Sequence, residues 1–121
     1  MDKKILTLVI TEGPYRHQYA DIAYEMAESA LRKGYGVKIF LYMDGTHIPK
    51  RNQAPQSFPN TAERFRSLLK GGAEIISCIR CSTARGHTCS EDPYIRGVQI
   101  KSVYELAEWI KKSHKVITLG C

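Results

Sequence analysis

Short apolar runs alternate with longer amphipathic stretches along this chain. Residues 5–10 form a continuous, partly β-branched apolar run, which is typical of a strand that is covered on both faces of a parallel sheet. Similar runs occur at residues 37–42, 73–79 and 115–119. The pattern therefore predicts four strands that are buried in the interior of a sheet.

Helices are predicted between these strands. Apolar residues recur at three- and four-residue steps from Tyr19 onward, and Gly34 provides an end for that helix. Asn60 and Ser102 each stand three residues before a glutamate, which is the pattern of a capped helix start. Segment 44–59 carries three prolines and is predicted to be irregular. We expect the last helix to bury the side chains of Val103, Leu106, Ala107 and Ile110.

The alternation of strands and helices predicts the fold class. It favours a three-layer α/β fold, with a mainly parallel sheet of four to five strands and helices on both faces. The 121 residues suffice for a single domain over residues 1–121. Ligands of such sheets bind beyond the carboxyl ends of the strands. Three segments are predicted to meet at that edge, namely residues 11–17, 44–47 and 78–89.

Composition and charge narrow the function classes. The hydrophobic fraction of 43% and the charged fraction of 25% are ordinary globular values. The net charge is +6, but the basic residues are scattered, so direct nucleic-acid binding is not expected. No apolar run approaches the roughly 20 residues that span a bilayer, so no membrane partner is expected. The first residues carry no signal-peptide pattern, and we expect a cytoplasmic protein whose thiols stay reduced.

Three of the four cysteines lie close together, within a dozen residues, at the end of the third predicted strand: Cys78, Cys81 and Cys89. A thiol is a good nucleophile only as the thiolate, and nearby cationic groups favour that form. Arg80 and Arg85 supply such charge, and a helical turn over residues 82–86 is expected beside the sulfur. These features predict that Cys78 attacks the outer sulfur of a persulfide and carries that sulfur itself.

Other roles for the cysteine segment stay open. A zinc-stabilised binding module would use four ligands of acceptable type, namely Cys78, Cys81, His87 and Cys89. Their spacing is too short for the usual pair of zinc knuckles, and no metal is expected. Cys78-x-x-Cys81 also permits dithiol exchange, and a buried cysteine that only packs is the structural alternative for Cys78.

The remaining candidates carry weaker signals. His87 and Cys89 are possible accessory residues of the cysteine segment, and His17 and His47 fall near the predicted functional edge. Gly13-Pro14 lacks the glycines and lysine of a phosphate loop, so no nucleotide or other cofactor is expected. Cys121 is expected to take no part.

The segment Cys78 to Gly86, with Arg85-Gly86 at its end, resembles the active-site segment of the DsrE/TusD sulfur-relay family. The opening Thr11-Glu12-Gly13-Pro14-Tyr15, the second strand with its Asp44-Gly45 turn, and the final helix and strand are similar to the same family. Cys81 and Cys89 are additions to the TusD-type segment.

The resemblance implies a DsrEFH-like fold and an intracellular sulfur-transfer function. It places the persulfide on Cys78, with Cys81 as a secondary thiol and with Arg80, Arg85 and Gly86 stabilising the anionic sulfur. The implied activity is that of a persulfide-type sulfurtransferase without a cofactor. The implied partners are sulfur donor and acceptor proteins, together with further copies of the chain or related subunits in an oligomer. Since some relatives lack a working cysteine, a non-catalytic scaffold subunit is the alternative.

Overall fold

The computed structural model describes residues 3–120 and contains a five-stranded sheet. The strands lie in the order β4-β3-β2-β1-β5, and every pairing between neighbours is parallel. They are β1 (Ile5–Ile10), β2 (Gly36–Leu41), β3 (Glu74–Cys78), β4 (Gln99–Lys101) and β5 (Lys115–Leu119). Their connections contain the helices α1 (Tyr19–Arg32), α2 (Thr61–Lys70), α3 (Ile79–Ala84) and α4 (Val103–Lys112), and a 3₁₀ helix (Met43–His47).

Helices cover both faces of the sheet, as predicted. Alternate residues of a strand point to opposite faces, and β2 illustrates this: Ile39 packs in the cluster with the buried residues of α1 and α2. Its neighbour Phe40 belongs to a second cluster on the other face. There its ring meets the edge of the Trp109 ring of α4, at 6.4 Å between centroids. The structure thus confirms a three-layer α/β fold with a parallel sheet.

Local signals placed the starts of α2 and α4 correctly, whereas the helical turn expected over residues 82–86 is α3, which spans Ile79–Ala84. The Asn60 side chain accepts a hydrogen bond from the Glu63 backbone N–H at 3.2 Å, at the start of α2. At the start of α4, Ser102 and Glu105 form the reciprocal capping box. Each such cap contributes about 1 kcal/mol. Because a cap involves residues only three positions apart, the sequence is enough to predict it.

The expectation for the buried side of α4 is wrong. Trp109 is the buried residue of this helix, while Val103 and Ile110 are about half exposed, at 45% and 47%. Ala107 is also exposed, and Leu106 is partly buried. The reason is that α4 packs on the second cluster through Trp109 and Leu106, so that the sheet covers one narrow stripe of the helix. The periodicity correctly predicted a helix but not how much of its surface the sheet covers.

Two elements were not predicted individually: β4, which has three residues, and the 3₁₀ helix after β2. The 3₁₀ helix depends on Gly45, because a side chain at this position would collide with the carbonyl oxygen of Ile10 at the end of β1. Thr46 closes the turn by donating from Oγ1 to the Met43 carbonyl at 2.8 Å. The close approach fixes this segment against the carboxyl edge of the sheet. Within residues 3–120, no helix combines the length and apolarity needed to cross a membrane.

Candidate functional site

Cys78 ends β3 and directly precedes α3, and it is buried. Its exposed fraction is 2%, and it belongs to the apolar cluster that contains Phe40, Ile76 and Trp109. Its backbone is extended, with φ −62° and ψ 127°, so the chain turns from strand to helix at this residue. The thiol therefore lies at the predicted edge of the sheet but beneath its surface.

Cys81 lies one turn further along α3, packs against the same cluster and is less buried than Cys78. The Cys78 thiol and the backbone N–H of Met43 both lie close enough to Cys81 to affect its pKa. Of the two, Cys81 is thus the one that a molecule in solution can reach. Neither forms a disulfide in this structure.

Competing effects act on the Cys81 thiol. Burial raises its pKa above the ordinary value, and the neighbouring Cys78 thiol raises it further. The Met43 N–H and the positive charge of Arg85 act in the opposite direction and favour the thiolate. Burial is the largest effect, so the resting Cys81 is a protonated thiol at neutral pH. The positive charge of Arg85 thus acts on Cys81, but its effect on the pKa is smaller than that of burial.

Arg85 joins α3 to the 3₁₀ helix. Its Nε donates to Asp44 Oδ1 at 2.7 Å, and its Nη1 donates to the Cys81 carbonyl at 3.2 Å. The Arg85 guanidinium holds the pKa of Asp44 below its ordinary value. Arg80, in contrast, is exposed and forms no ion pair with any residue in the range 3–120. The two arginines of the segment therefore occupy different environments.

Gly86 ends α3 in the left-handed region, with φ 76°. Its N–H donates to the Thr83 carbonyl at 3.0 Å, and the His87 N–H donates to the Ser82 carbonyl at 2.9 Å. This pair of bonds is the Schellman motif, which favours glycine at this position. The motif explains why glycine follows Arg85. It also directs the chain so that His87 enters the interior.

His87 is buried, with 3% of its surface exposed, and belongs to a polar network. Its Nδ1 lies 2.8 Å from the Tyr94 hydroxyl, which in turn donates to Ser82 Oγ at 2.7 Å. Ser77 Oγ, at the end of β3, lies 2.9 Å from Ser82 Oγ. The network fastens α3 and the following loop to the sheet, so these side chains position the cysteine segment.

Burial and nearby cations keep His87 neutral. The pKa of His87 is lowered to about 4, mainly by burial. Repulsion between a protonated ring and the charges of His47, Lys50 and Arg85 also lowers it. The ring of His47 packs against the edge of the His87 ring, with centroids 4.7 Å apart. Burial also lowers the pKa of His47, despite the nearby Asp44. At neutral pH, His87 is therefore a hydrogen-bonding group without charge.

The structure does not assemble the four residues of the zinc alternative. Cys89 is exposed, whereas Cys78 and His87 are buried in different surroundings. Over residues 3–120, no group of three or more side chains suited to hold a metal ion is found. Cys121 lies outside the described residues.

Sequence reasoning missed several residues that position the cysteines. The contact of the Met43 N–H with Cys81 and the pairing of Asp44 with Arg85 both bring the end of β2 to the end of β3. Because adjacent parallel strands end at the same edge of the sheet, the predicted order of the strands was enough to bring these two segments together. Nothing in the sequence marked Ser82 or Tyr94, because their network forms only in the folded chain.

Comparison with known proteins identifies relatives over nearly the whole chain. The model of the DsrE/DsrF-like family matches residues 4–119. An uncharacterised protein of Methanopyrus kandleri is 40% identical over 113 residues, which cover 93% of this chain and 92% of that protein. A candidate sulfurtransferase named DsrE from Allochromatium vinosum is 34% identical over 82 residues, which cover 65% of this chain and 63% of that protein.

A solved structure confirms the fold. The crystal structure of the ychN protein from Escherichia coli matches with a TM-score of 0.81 and 25% sequence identity. The match covers 98% of this chain and 100% of the ychN chain. Together with the family match, it shows that the chain belongs to the DsrE/DsrF-like family.

Proposed function

We propose that this protein transfers sulfane sulfur in the cytoplasm as a cysteine persulfide, carried on Cys78 with Cys81 as its partner. Family membership and the candidate sulfurtransferase among the relatives support a role in sulfur relay. The observation that carries the proposal is the packing of both cysteines in one cluster at the carboxyl edge of the sheet. A persulfide on one thiol lies within reach of the other.

Accessibility assigns the order of the two thiols. A donor protein cannot reach Cys78, which is 2% exposed, without displacing the residues around it. Cys81 is therefore the entry point. Its thiolate attacks the outer sulfur of the donor persulfide, the donor S–S bond breaks, and the donor leaves as a thiolate. The sulfane sulfur is then bound to Cys81.

The buried thiol completes the transfer. After losing its proton, Cys78 attacks the outer sulfur of the Cys81 persulfide, so that the sulfane sulfur moves to Cys78 and Cys81 regains its thiolate. Attack on the inner sulfur instead forms a Cys78–Cys81 disulfide and expels hydrosulfide. In that branch the sulfane sulfur is reduced by the two cysteines, and a dithiol reductant must restore them.

Charges and backbone donors around Cys81 support the anionic steps. We assign to Arg85 and to the Met43 N–H the stabilisation of negative charge on Cys81, since both favour its thiolate. Gly86 serves this arrangement by ending α3 where Arg85 can face Asp44. Arg80 is exposed, and we assign it to contact with a partner protein.

Exposed apolar side chains suit docking of partners. Met43 and Ile79 are 47% and 43% exposed, and each is adjacent to a residue of the site. We assign them to the contact with sulfur donor and acceptor proteins. On α4 and β5, Tyr104 is 80% exposed and Val116 is 36% exposed. Since the sheet leaves this face partly uncovered, we assign it to contact with another copy of the chain or with a related subunit.

Mass spectrometry of the intact protein after exposure to cysteine persulfide tests the proposal. The wild-type chain is expected to gain one sulfur atom. In Cys78→Ser the sulfur atom should stay on Cys81, where a small thiol should remove it faster than from the wild type because Cys81 is less buried than Cys78. Cys81→Ser should load more slowly because the remaining thiol is buried. Cys89→Ser is the matched control, since Cys89 is exposed and outside the pair, and it should load like the wild type.

Two results would contradict the proposal. If the sulfur atom of Cys78→Ser resists a small thiol for as long as that of the wild type, the persulfide is not carried on Cys78. If neither thiol of the pair reacts in the folded protein, the chain is a non-catalytic subunit. Circular dichroism of each variant confirms that the fold is intact.

A further inference from the structure

A cavity of about 710 Å³ lies beyond the carboxyl ends of β1 and β2. Its walls come from residues 12–17 and from the segment 44–53. Sites for small molecules usually have volumes of roughly 300–1,000 Å³, and they lie at this edge of parallel sheets. Neither Cys78 nor Cys81 lines the cavity, so it is separate from the thiol pair.

The cavity wall is predominantly basic. Of its acidic members, Asp44 is paired with Arg85, and Glu12 lies 3.9 Å from the His17 ring. Two of the cations, Arg16 and Lys50, form no ion pair with a residue of the described range 3–120. The wall therefore attracts an anion. Its basic side chains are those of Arg16, His17, His47, Lys50 and Arg51.

Arg51 carries an unsatisfied donor. Its Nη2 lies 3.2 Å from Asp92 Oδ2, but its Nε is buried and has no hydrogen-bond partner within residues 3–120. An unmade hydrogen bond of a buried donor costs about 1–3 kcal/mol. Arg51 also lines the cavity, so its guanidinium adds positive charge to the wall.

The two walls are held together before any ligand binds. Tyr15 donates from its hydroxyl to Gln53 Oε1 at 2.5 Å, and Gln53 Nε2 donates to the carbonyls of Ile48 and Lys50 at 2.8 and 2.9 Å. Tyr15 and Asn52 both have positive φ, at 74° and 68°. Such backbone strain is unfavourable for a bulky residue such as tyrosine, and it concentrates at ligand sites.

An aromatic rim adjoins the basic wall. The rings of Tyr15 and Phe58 lie 6.0 Å apart, and these residues are 38% and 60% exposed. Both line a neighbouring recess, which shares Tyr15 and Gln53 with the cavity. Exposed aromatic rings beside cations suit a ligand that combines a flat ring with negative charge.

We propose that this cavity binds a small organic anion in which a phosphate group is joined to a flat ring, with nucleoside monophosphates as the class. The phosphate contacts Arg16, Lys50 and Arg51, and the ring stacks at Tyr15 and Phe58. No nucleotide was expected from the sequence, because the chain lacks a glycine-rich phosphate loop. The cavity uses side chains instead of such a loop, so the motif is not required. This inference is independent of the sulfur-transfer proposal.

Isothermal titration calorimetry on the full chain at fixed ionic strength tests the inference with three probes. They are AMP, adenosine and inorganic phosphate, which separate the contributions of the ring and the charge. AMP is expected to bind saturably at one site per chain. Adenosine and phosphate are each expected to bind at least about tenfold more weakly, because each lacks one of the two contacts.

Variants locate the site. Arg16→Gln and Lys50→Gln are each expected to weaken AMP binding about tenfold, the usual loss for a charged hydrogen bond. Phe58→Ala should weaken AMP binding by a similar factor and leave phosphate binding unchanged. Lys111→Gln, on the exposed side of α4, is the charge-matched control and should bind like the wild type.

The inference is overturned if AMP shows no saturable binding at millimolar concentration. It is also overturned if adenosine binds as tightly as AMP, because the basic wall then contributes nothing. Equal weakening by Lys111→Gln and Lys50→Gln would show a general charge effect instead of a site. Unchanged binding in both Arg16→Gln and Lys50→Gln would place AMP elsewhere.

Discussion

Acidification is expected to destabilise this protein through His87. The ring is buried and neutral in the folded chain, where burial lowers its pKa to about 4, whereas in the unfolded chain the pKa returns to the ordinary 6.5. The unfolded state therefore binds a proton more readily than the folded state. The contribution of neutral His87 to stability is fully present above the pKa of the unfolded chain. It is lost as the pH falls from about 6.5 through about 4.

The two pKa values determine the magnitude. A difference of one in pKa corresponds to about 1.4 kcal/mol, so complete protonation costs at most about 3 kcal/mol. At about pH 5, between the two values, the expected loss relative to about pH 7.5 is about 2 kcal/mol. Single domains are stable by about 5–15 kcal/mol, so this loss is readily measured.

Urea unfolding at a series of pH values measures the effect. In His87→Gln the titrating ring is gone, so the free energy of unfolding should fall less steeply with acidification than in the wild type. The variant also loses the contact of His87 Nδ1 with Tyr94, which lowers stability at neutral pH by about 1–2 kcal/mol. The two stability curves are therefore expected to converge toward low pH.

The matched control is Ser57→Ala, because Ser57 is exposed and its substitution changes no titrating group. It should keep the pH dependence of the wild type. Carboxylates such as Asp44 also affect the acid limb, but they are common to all three proteins and cancel in the comparison. Parallel curves for the wild type and His87→Gln would contradict this prediction, since they would mean that His87 has the same pKa in the folded and unfolded chains.

Two further predictions concern packing and assembly. Gly45→Ala places a methyl group against the carbonyl at the end of β1. It should therefore destabilise the chain by about 2 kcal/mol or more, as other strained substitutions do. An unchanged melting temperature would contradict the close approach of Gly45 to β1. Tyr104→Lys combined with Val116→Lys places charge on the exposed face of α4 and β5. In sedimentation experiments the double variant should form a smaller species than the wild type, whereas Lys111→Gln should not. A species of unchanged size would place any oligomer contact elsewhere.

The sequence predicted the fold well because its main signals are local. The apolar run of β1, the caps at Asn60 and Ser102, and Gly34 after α1 each depend on residues a few positions apart. All of them lie where they were expected. The exposure of α4 could not be predicted, because it depends on how much of the helix the sheet covers.

The candidate site was predicted only in part. Clustering of Cys78 and Cys81 at the edge of the sheet follows from strand order, and the structure places both there. Their burial does not follow from the sequence, since it depends on the Trp109 side chain from a distant helix. The same limit applies to Asp44 and Arg85, which are 41 positions apart. Which thiol is accessible is thus a tertiary property.

The position of β1 has a consequence for how the chain folds. β1 pairs on one side with β2 and on the other with β5, and the latter pairing joins residues such as Leu6 and Lys115. During synthesis, one edge of β1 stays unpaired until more than one hundred residues have followed it. Contacts of such long range slow folding, and an open apolar edge promotes aggregation. We therefore expect the sheet to close only after β5 has left the ribosome, and until then the open edge of β1 is a target for chaperones.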